Sequence, residues 1–359
     1  MAPIIYCLLF LAGLFLLIKG SEWFVNSAVW TAEVFRIPPI IIGATIVSIC
    51  TTLPETFVSA TAAVGGQTDM AIGNAIGSIA VNTGLILATL IIYLVPVIEN
   101  RKEFIMNGCF LICSLVLIWS IVYFYSGIPT YVGVLLLILM LLYIANNIRL
   151  ARASMDLDIH YDFIDEESVN AQFDPEQPMP EGVSYDESEN DFDVSIQETI
   201  HRIIFFVIGI VFVIAGSRLL VQSGIQIARL LQVPAFLIAV IFTSIGTSLP
   251  ELVTAISAVK KGVSTLGIGN IMGANILNIV QVMGITALLS PVPLQQVRNI
   301  LFFQLPFILV MILLAVVPGL LSRRGFSRWN GVLLVILYLI FLTANILKGS
   351  TPVLGQYYF

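Results

Sequence analysis

The sequence Thr51-Thr52-Leu53-Pro54-Glu55 occurs a second time, almost unchanged, as Thr247-Ser248-Leu249-Pro250-Glu251. A second pair of segments, Ile72-Gly73-Asn74-Ala75-Ile76-Gly77 and Ile268-Gly269-Asn270-Ile271-Met272-Gly273, has the same offset of 196 residues (247 − 51 and 268 − 72). Two segments that repeat at one offset without a gap indicate that the chain contains two copies of one structural unit.

The chain around these segments is strongly apolar, with 58% hydrophobic and 11% charged residues. This composition excludes an ordinary soluble domain. Apolar runs of about 17 to 25 residues, enough for a helix to cross about 30 Å of hydrocarbon, recur along it. The predicted spans are 4–19, 38–64, 71–97, 104–125, 129–149, 200–221, 234–259, 266–290, 297–318 and 329–347. The sequence therefore predicts an all-α polytopic membrane protein with ten transmembrane helices.

The ten spans divide into two groups of five. Residues 1–150 are predicted to form the first five-helix repeat and residues 200–359 the second. Residues 151–199 hold most of the acidic side chains and little apolar periodicity, which predicts a disordered, solvent-exposed linker. Because each half has an odd number of spans, the second copy enters the membrane from the opposite side. Inverted repeats of this kind place a substrate site near the middle of the bilayer.

The basic residues predict the orientation of the chain. Twelve of the 16 Lys and Arg residues lie in or beside connections on the linker's side of the membrane. By the positive-inside rule the linker is cytoplasmic and both termini face outward, with the chain in the plasma (inner) membrane. The first apolar stretch lacks a preceding basic region and a small-residue cleavage site, so we expect it to remain as a helix.

Glu55 and Glu251 are the only acidic residues deep within a predicted span, and they occupy equivalent positions in the two copies. A charged group in hydrocarbon needs a partner, and the predicted spans contain no deeply placed Lys, Arg or His. The partner is then a proton or a bound cation. Two carboxylates supplemented by neutral oxygens suit Ca²⁺, which prefers hard oxygen ligands. A protonated packing role for the two glutamates is the alternative.

Neighbouring polar residues can supply the neutral oxygens. The candidates are hydroxyl groups near each glutamate and amides from the following helices: Thr51, Thr52, Thr247, Ser248, Asn82, Asn278, Ser78, Ser48 and Ser244. The hydroxyls could instead bond their own backbone, and the two amides could link helices. Pro54 and Pro250 are expected to free main-chain carbonyls just before them.

Small and amide residues of the second motif predict close helix packing. The glycines at 73, 77, 269 and 273 allow helices to approach closely. Asn74 and Asn270 are expected to bridge helices through hydrogen bonds.

These motifs resemble the two α-repeats of the cation/Ca²⁺ exchanger superfamily, in particular its prokaryotic sodium/calcium exchanger branch. The resemblance also covers the ten-helix layout and the central linker. It implies electrogenic exchange of Na⁺ for Ca²⁺ in which Glu55 and Glu251 bind both ions. It further implies oxygen ligands from Thr51 and Thr247, and flanking Na⁺ sites completed by Ser78 with Ser48 or Ser244. No cofactor or nucleic acid is expected, an oligomer is not required, and the partners are Na⁺, Ca²⁺ and the bilayer.

The chain departs from the family's Gly-Ser-Asn pattern at Ile79 and Ala274, and from the pattern of K⁺-dependent relatives at Asn278. Ala274 stands where many relatives carry a serine, which removes one hydroxyl ligand from a flanking Na⁺ site. Asn278 stands where K⁺-dependent relatives carry an aspartate, so no K⁺ requirement is expected.

Other functions are less well supported by the sequence. The proton-coupled branch typically has a glutamate where this chain has Ser78 and Ala274, which disfavours Ca²⁺/H⁺ antiport but leaves it as the main alternative. A cation channel also uses carboxylates, but the inverted repeat favours alternating access. The predicted spans contain no motif of an intramembrane hydrolase, so an enzyme is not expected.

Overall fold

The computed structural model describes residues 2–34, 48–94, 98, 101–125, 127–170, 196–252, 255, 264–321 and 325–349. Eight helices in this part of the chain are long and apolar enough to cross a membrane. They contain the segments Pro3–Phe24, Thr68–Tyr93, Phe104–Tyr125, Thr130–Leu150, Gln197–Leu231, Ile268–Leu289, Phe303–Leu321 and Arg328–Leu347. The prediction of an all-α polytopic membrane protein is confirmed.

The described elements follow one another in chain order. The helices are α1 Ala2–Val34, α2 Ser48–Thr51, α3 Leu53–Val64, α4 Thr68–Val81, α5 Ala88–Leu94, α6 Arg101–Tyr125, α7 Thr130–Asn170, α8 Ile196–Leu231, α9 Ala235–Ile238, α10 Ser244–Thr247, α11 Ser264–Leu277, α12 Met283–Leu289, α13 Leu294–Leu321 and α14 Arg328–Gly349. Turns of π-helix occupy Asn82–Leu87, Ala239–Thr243 and Asn278–Val282, and two short strands are β1 Gly127–Ile128 and β2 Val292–Pro293.

The two remaining predicted spans, 38–64 and 234–259, consist of short pieces. In each, the helix is interrupted two residues before a proline, at Thr52 with ψ 1° and at Ser248 with ψ 7°. A new helical segment begins at the next residue, Leu53 or Leu249. Proline lacks the N–H group that would continue the helix. Parts of both spans lie outside the described residues, so the count of ten helices stays a prediction.

The first helix of each half extends well beyond its predicted apolar span. The predictions ended at residues 19 and 221, whereas α1 continues to Val34 and α8 to Leu231. Polar residues lower the hydropathy there without breaking the helix. Lys19 and Glu22 form an i,i+3 salt bridge of 2.7 Å, and the hydroxyl of Ser27 donates to the Trp23 carbonyl.

The repeat predicted from the sequence is also visible in the secondary structure. Helices α2 and α10, and helices α4 and α11, begin and end at residues that differ by 196. The π turns at Asn82 and Asn278 begin with the same offset. The two halves therefore fold alike residue by residue around the motif segments.

Helices α1 and α8 pack backbone to backbone through glycines. A Cβ atom on Gly13 would lie 3.0 Å from the carbonyl oxygen of Gly216, and one on Gly20 would lie 2.7 Å from that of Gly209. Gly209 and Gly216 are the repeat equivalents of Gly13 and Gly20. The contact is therefore reciprocal, as a pseudo-two-fold relation between the halves requires.

Helices α4 and α11 form the centre of the bundle. The spans that contain them are 83% and 89% buried, against 28% for the spans of α1 and α8. At one end of the bundle β1 pairs antiparallel with β2, so the connection after α6 and the connection after α12 meet at that end. The central position of α4 and α11 places the repeated segments 72–77 and 268–273 in the protein interior.

The predicted linker, 151–199, stays a prediction. Helix α7 continues through its first part to Asn170, and α8 begins at Ile196. Residues 171–195 lie outside the described part of the chain.

Candidate ion-binding site

Glu55 and Glu251 lie in the protein interior and are both 0% exposed. Glu55 is in the first turn of α3, and Glu251 lies in the equivalent helical segment of the second half, residues 249–252. Ser248, which lies three residues before Glu251, contacts Glu55 Oε1 at 3.3 Å. The structure therefore brings the two predicted acidic residues to one location.

The carboxylate of Glu55 is contacted by hydroxyls from both halves. Its Oε1 accepts from Ser248 Oγ at 3.3 Å and from Ser78 Oγ at 3.5 Å. Among the described residues, Oε2 has no hydrogen-bond donor. Ser78 thus lies beside Glu55 as predicted.

The carboxylate of Glu251 has fewer partners. Thr51 of the first half lies next to it, yet neither carboxylate oxygen has a donor in hydrogen-bonding geometry within the described chain. The residue equivalent to Ser78 is Ala274, which is fully buried and offers no hydroxyl. The asymmetry expected from Ala274 is therefore present in the structure.

Thr247 and Asn74 connect the two halves beside the glutamates. Thr247 Oγ1 lies 3.4 Å from Asn74 Oδ1 and 3.5 Å from Ser78 Oγ. Asn74 Nδ2 donates to Ser59 Oγ at 3.0 Å and to the Glu55 carbonyl at 3.2 Å. The predicted bridge at Asn74 is confirmed.

The corresponding bridge at Asn270 is not found. Its side-chain amide has no hydrogen-bond partner among the described residues. One of the two acceptors used by Asn74 is missing in the second half, because Ser59 corresponds to Ala255.

Asn82 and Asn278 are fully buried, and neither amide group has a partner within the described residues. Each asparagine is the first residue of a π turn. Such turns occur frequently at functional sites. Neither amide forms a hydrogen bond that links two helices in the described chain. Both amide oxygens are therefore available to a ligand.

The remaining candidates differ in what their polar groups contact. Ser244 is buried, and its hydroxyl donates to the Val240 carbonyl at 2.5 Å. A bond to its own helix backbone was the alternative to an ion-binding role for this residue. The carbonyl of Thr52, a buried residue, accepts from the Thr56 amide and hydroxyl. The side chain of Ser48 lies outside the described part of the structure.

Glycine packing also shapes the site. A Cβ on Gly77 would lie 2.7 Å from Ser244 Oγ, and one on Gly73 would lie 3.0 Å from the Phe236 carbonyl. Both predictions of close approach in the first half are confirmed. At Gly269 a Cβ would meet no described atom within 4 Å.

The spacing of the oxygens suits a shared cation. The distances of 3.3–3.5 Å around Glu55 and Thr247 exceed those of ordinary O–H···O hydrogen bonds. Two oxygens that each lie about 2.4 Å from one Ca²⁺ at a right angle are about 3.4 Å apart. The described residues contain no group of three or more His, Cys, Asp or Glu side chains, so two carboxylates and neutral oxygens must complete such a site.

Sequence reasoning missed four polar residues near the site. Gln281 Nε2 donates to Thr56 Oγ1 at 2.9 Å, and Asn275 Nδ2 donates to Thr83 Oγ1 at 2.9 Å. Their repeat equivalents are all aliphatic: Leu85, Leu252, Ile79 and Ile279. A comparison of the two copies could have identified these four residues, because each is polar where the equivalent residue in the other copy is aliphatic.

The family profile described as sodium/calcium exchanger protein matches residues 5–149 and 201–347 of the chain. The chain belongs to the sodium/calcium exchanger family. The inner membrane protein YrbG of Escherichia coli is 29% identical to it over 97% of this chain and 98% of YrbG. The sodium/calcium exchanger MaX1 of Methanosarcina acetivorans is 28% identical over 93% of this chain and 97% of MaX1.

Among solved structures the fold is similar to that of the sodium-calcium exchanger NCX_Mj. The TM-score is 0.59 at 27% identity, over 95% of this chain and 99% of NCX_Mj. Together the family and the apolar helices show an integral membrane antiporter of ions, which is a transporter and not an enzyme. Exchangers of this family carry ions as substrates and need no cofactor.

Proposed function

We propose that this chain exchanges Na⁺ for Ca²⁺ by alternating access, with Glu55 and Glu251 as ligands that both ions share. The proposal rests on the burial of the two carboxylates and on their hydrogen-bond partners. They come from opposite halves, are fully buried, and three of their four oxygens have no donor among the described residues.

Buried carboxylates without donors favour a bound cation. Removing one carboxylate from water costs several kcal/mol or more unless an opposite charge offsets it. No Lys, Arg or His among the described residues forms a salt bridge with either glutamate. A divalent cation neutralises both carboxylates at once, whereas Na⁺ leaves one negative charge. Competition of the two ions for the same oxygens is the basis of exchange.

The relatives support the choice of ions. MaX1 is named a sodium/calcium exchanger, and the NCX_Mj structures concern ion exchange in a sodium-calcium exchanger with Na⁺, Ca²⁺ and Sr²⁺. The inverted repeats support alternating access, because two structurally equivalent halves can exchange roles around one central site.

The sidedness follows from the charge distribution. The linker, 151–199, is proposed to be cytoplasmic, which places both termini and the β1–β2 end of the bundle on the outer face. The membrane is proposed to be the plasma (inner) membrane, because the similar protein YrbG is named an inner membrane protein.

A flux assay tests the proposed exchange. Purified protein is reconstituted in vesicles loaded with Na⁺ and diluted into Na⁺-free buffer with ⁴⁵Ca²⁺. An outward Na⁺ gradient should drive Ca²⁺ uptake, and dissipating that gradient with a Na⁺ ionophore should abolish it. Uptake that ignores Na⁺ but follows a pH gradient would instead establish Ca²⁺/H⁺ antiport, and downhill Ca²⁺ flux without either gradient would indicate a channel.

A further inference from the structure

Helix α11 and the π turn that follows it carry three buried amides at intervals of three residues: Asn275, Asn278 and Gln281. They are 2%, 0% and 4% exposed. The side-chain oxygen of each one has no donor among the described residues. A buried amide oxygen without a donor costs about 1–3 kcal/mol, so these three, in addition to Asn270 earlier on α11, need an explanation.

The orientation of the Gln281 amide is set by its partner. Thr56 Oγ1 donates its proton to the Thr52 carbonyl at 2.9 Å, so it can only accept from Gln281. The Gln281 NH₂ group must therefore face Thr56, and Oε1 is the atom left without a partner. Because Thr56 follows Glu55 directly, this places the Gln281 amide beside the helix turn that carries the acidic ligand.

The contact is specific to one side of the site. The two-fold equivalent of the Thr56–Gln281 pair is Leu252 with Leu85, which are both aliphatic and packed against the hydrophobic core. Along its helix, Gln281 lies between Asn278 and the β1–β2 end of the bundle. The same half has lost a hydroxyl at Ala274. The second half therefore lacks a hydroxyl oxygen at position 274 but has an additional amide oxygen at position 281.

We propose that Gln281 Oε1 is an accessory Na⁺ ligand that, with the Asn278 amide, forms a subsite on the β1–β2 side of the glutamate pair. Na⁺ is favoured because the added oxygens are neutral, whereas Ca²⁺ sites are built around carboxylates. Thr56 acts as a positioning residue that fixes the amide. This inference rests on the proposed exchange of Na⁺ for Ca²⁺.

The test measures ion binding to the purified full-length protein without transport. Melting temperature is recorded against NaCl concentration, with choline chloride holding the ionic strength constant, and then against CaCl₂. Q281M removes the amide and keeps the approximate length of the side chain. It should raise the Na⁺ concentration for half-maximal stabilisation about fivefold, as expected for one lost polar contact, and change the Ca²⁺ value less than twofold.

Three further variants separate a ligand from a structural hydrogen bond. Q304M is the matched control, because Gln304 is a buried glutamine whose Nε2 donates to Asn345 Oδ1 of α14 and whose Oε1 also has no donor among the described residues. Its Na⁺ response should equal that of the wild type. Q281E loses the NH₂ group that donates to Thr56, but it keeps an oxygen and adds a negative charge that attracts a cation, so this variant should retain the Na⁺ response. If Q281M does not fold, Q281E and T56V decide, and T56V should weaken the Na⁺ response in the direction expected for Q281M.

The outcomes distinguish this inference from the function on which it rests. An unchanged Na⁺ response in Q281M, an equal shift of the Na⁺ and Ca²⁺ responses, or a loss of Na⁺ response in Q281E would each overturn the accessory subsite. A wild-type protein that Na⁺ does not stabilise would contradict the proposed exchange itself.

Discussion

Glu55 and Glu251 occupy equivalent positions in the repeat, but the side chains around them differ. Ser78 contributes a hydroxyl 3.5 Å from Glu55 Oε1, and its equivalent Ala274 contributes none. The two-fold relation of the backbone is therefore broken at the level of the ligands. Ions with different preferences for charge and ligand number can then occupy different parts of one site.

The Ser78–Ala274 difference yields a reciprocal prediction. A274S adds a hydroxyl on the Glu251 side and should lower the Na⁺ concentration for half-maximal Na⁺-driven Ca²⁺ uptake, whereas S78A should raise it about three- to tenfold through the loss of one polar contact. The measurement is ⁴⁵Ca²⁺ uptake at varied internal Na⁺. S223A is the control, because Ser223 donates to the backbone of its own helix at Leu219. An A274S variant with wild-type Na⁺ dependence would show that position 274 is not part of the site.

Much of the site could be predicted from individual residues. Two carboxylates in apolar segments at one repeat offset identified Glu55 and Glu251, because an ionisable group in a membrane needs a partner. The pairing of Thr56 with Gln281 could not be predicted, since it depends on the register between two helices from different halves. The loss of the Asn270 bridge, by contrast, could have been read from Ala255 in the aligned repeat.

At the scale of elements, the buried helices α4 and α11 carry neutral candidate ligands such as Ser78, whereas Glu55 and Glu251 lie on the helical segments before them. Helices α1 and α8 form an outer pair joined by glycines. Hydropathy located the apolar part of α1 and α8 but not their ends, because a helix continues wherever backbone hydrogen bonds and side-chain pairs support it. The breaks at Thr52 and Ser248 were predictable from Pro54 and Pro250. The π turns were not, since no single residue type requires one.

The glycine contact between α1 and α8 yields a prediction about helix packing. G216A places a Cβ 2.6 Å from the Leu17 amide nitrogen and 2.8 Å from the Gly13 carbonyl, which are backbone atoms that cannot rotate away. We expect a loss of about 1–3 kcal/mol in stability from overpacking, read as a lower melting temperature.

A glycine on the same helix provides the control for this substitution. At Gly224 the nearest atom is Met70 Cε at 3.0 Å, the end of a flexible side chain that can move. G224A should therefore keep a melting temperature close to that of the wild type. Equal melting temperatures for G216A and the wild type would contradict the backbone contact between α1 and α8.

At the scale of the whole molecule, the strand pair β1–β2 joins the connection after α6 to the connection after α12. In the predicted ten-span layout both connections lie on the side opposite the linker. The pairing therefore agrees with a second half inserted in the inverted sense. The proposed sidedness of the molecule then depends on the location of the linker alone.

Labelling intact cells tests this sidedness. In a variant without native cysteines, a cysteine at Ser184 in the linker should react with a membrane-impermeant maleimide only after the cells are permeabilised. A cysteine at Ser327, in the connection before α14, lies on the linker's side in the same layout and should behave in the same way. Labelling of either position in intact cells would reverse the proposed orientation.

In the proposed exchange, the two halves contribute one carboxylate each to a single shared site. Equilibrium binding of ⁴⁵Ca²⁺ to the purified protein tests it most directly, in the wild type, E55Q and E251Q, with E22Q as a control because Glu22 is an exposed partner of Lys19. The wild type and E22Q should bind Ca²⁺ that Na⁺ displaces, and each of the other two variants should lose at least a hundredfold in affinity through the missing charged ligand. Wild-type Ca²⁺ affinity in either E55Q or E251Q would contradict a site built from both carboxylates.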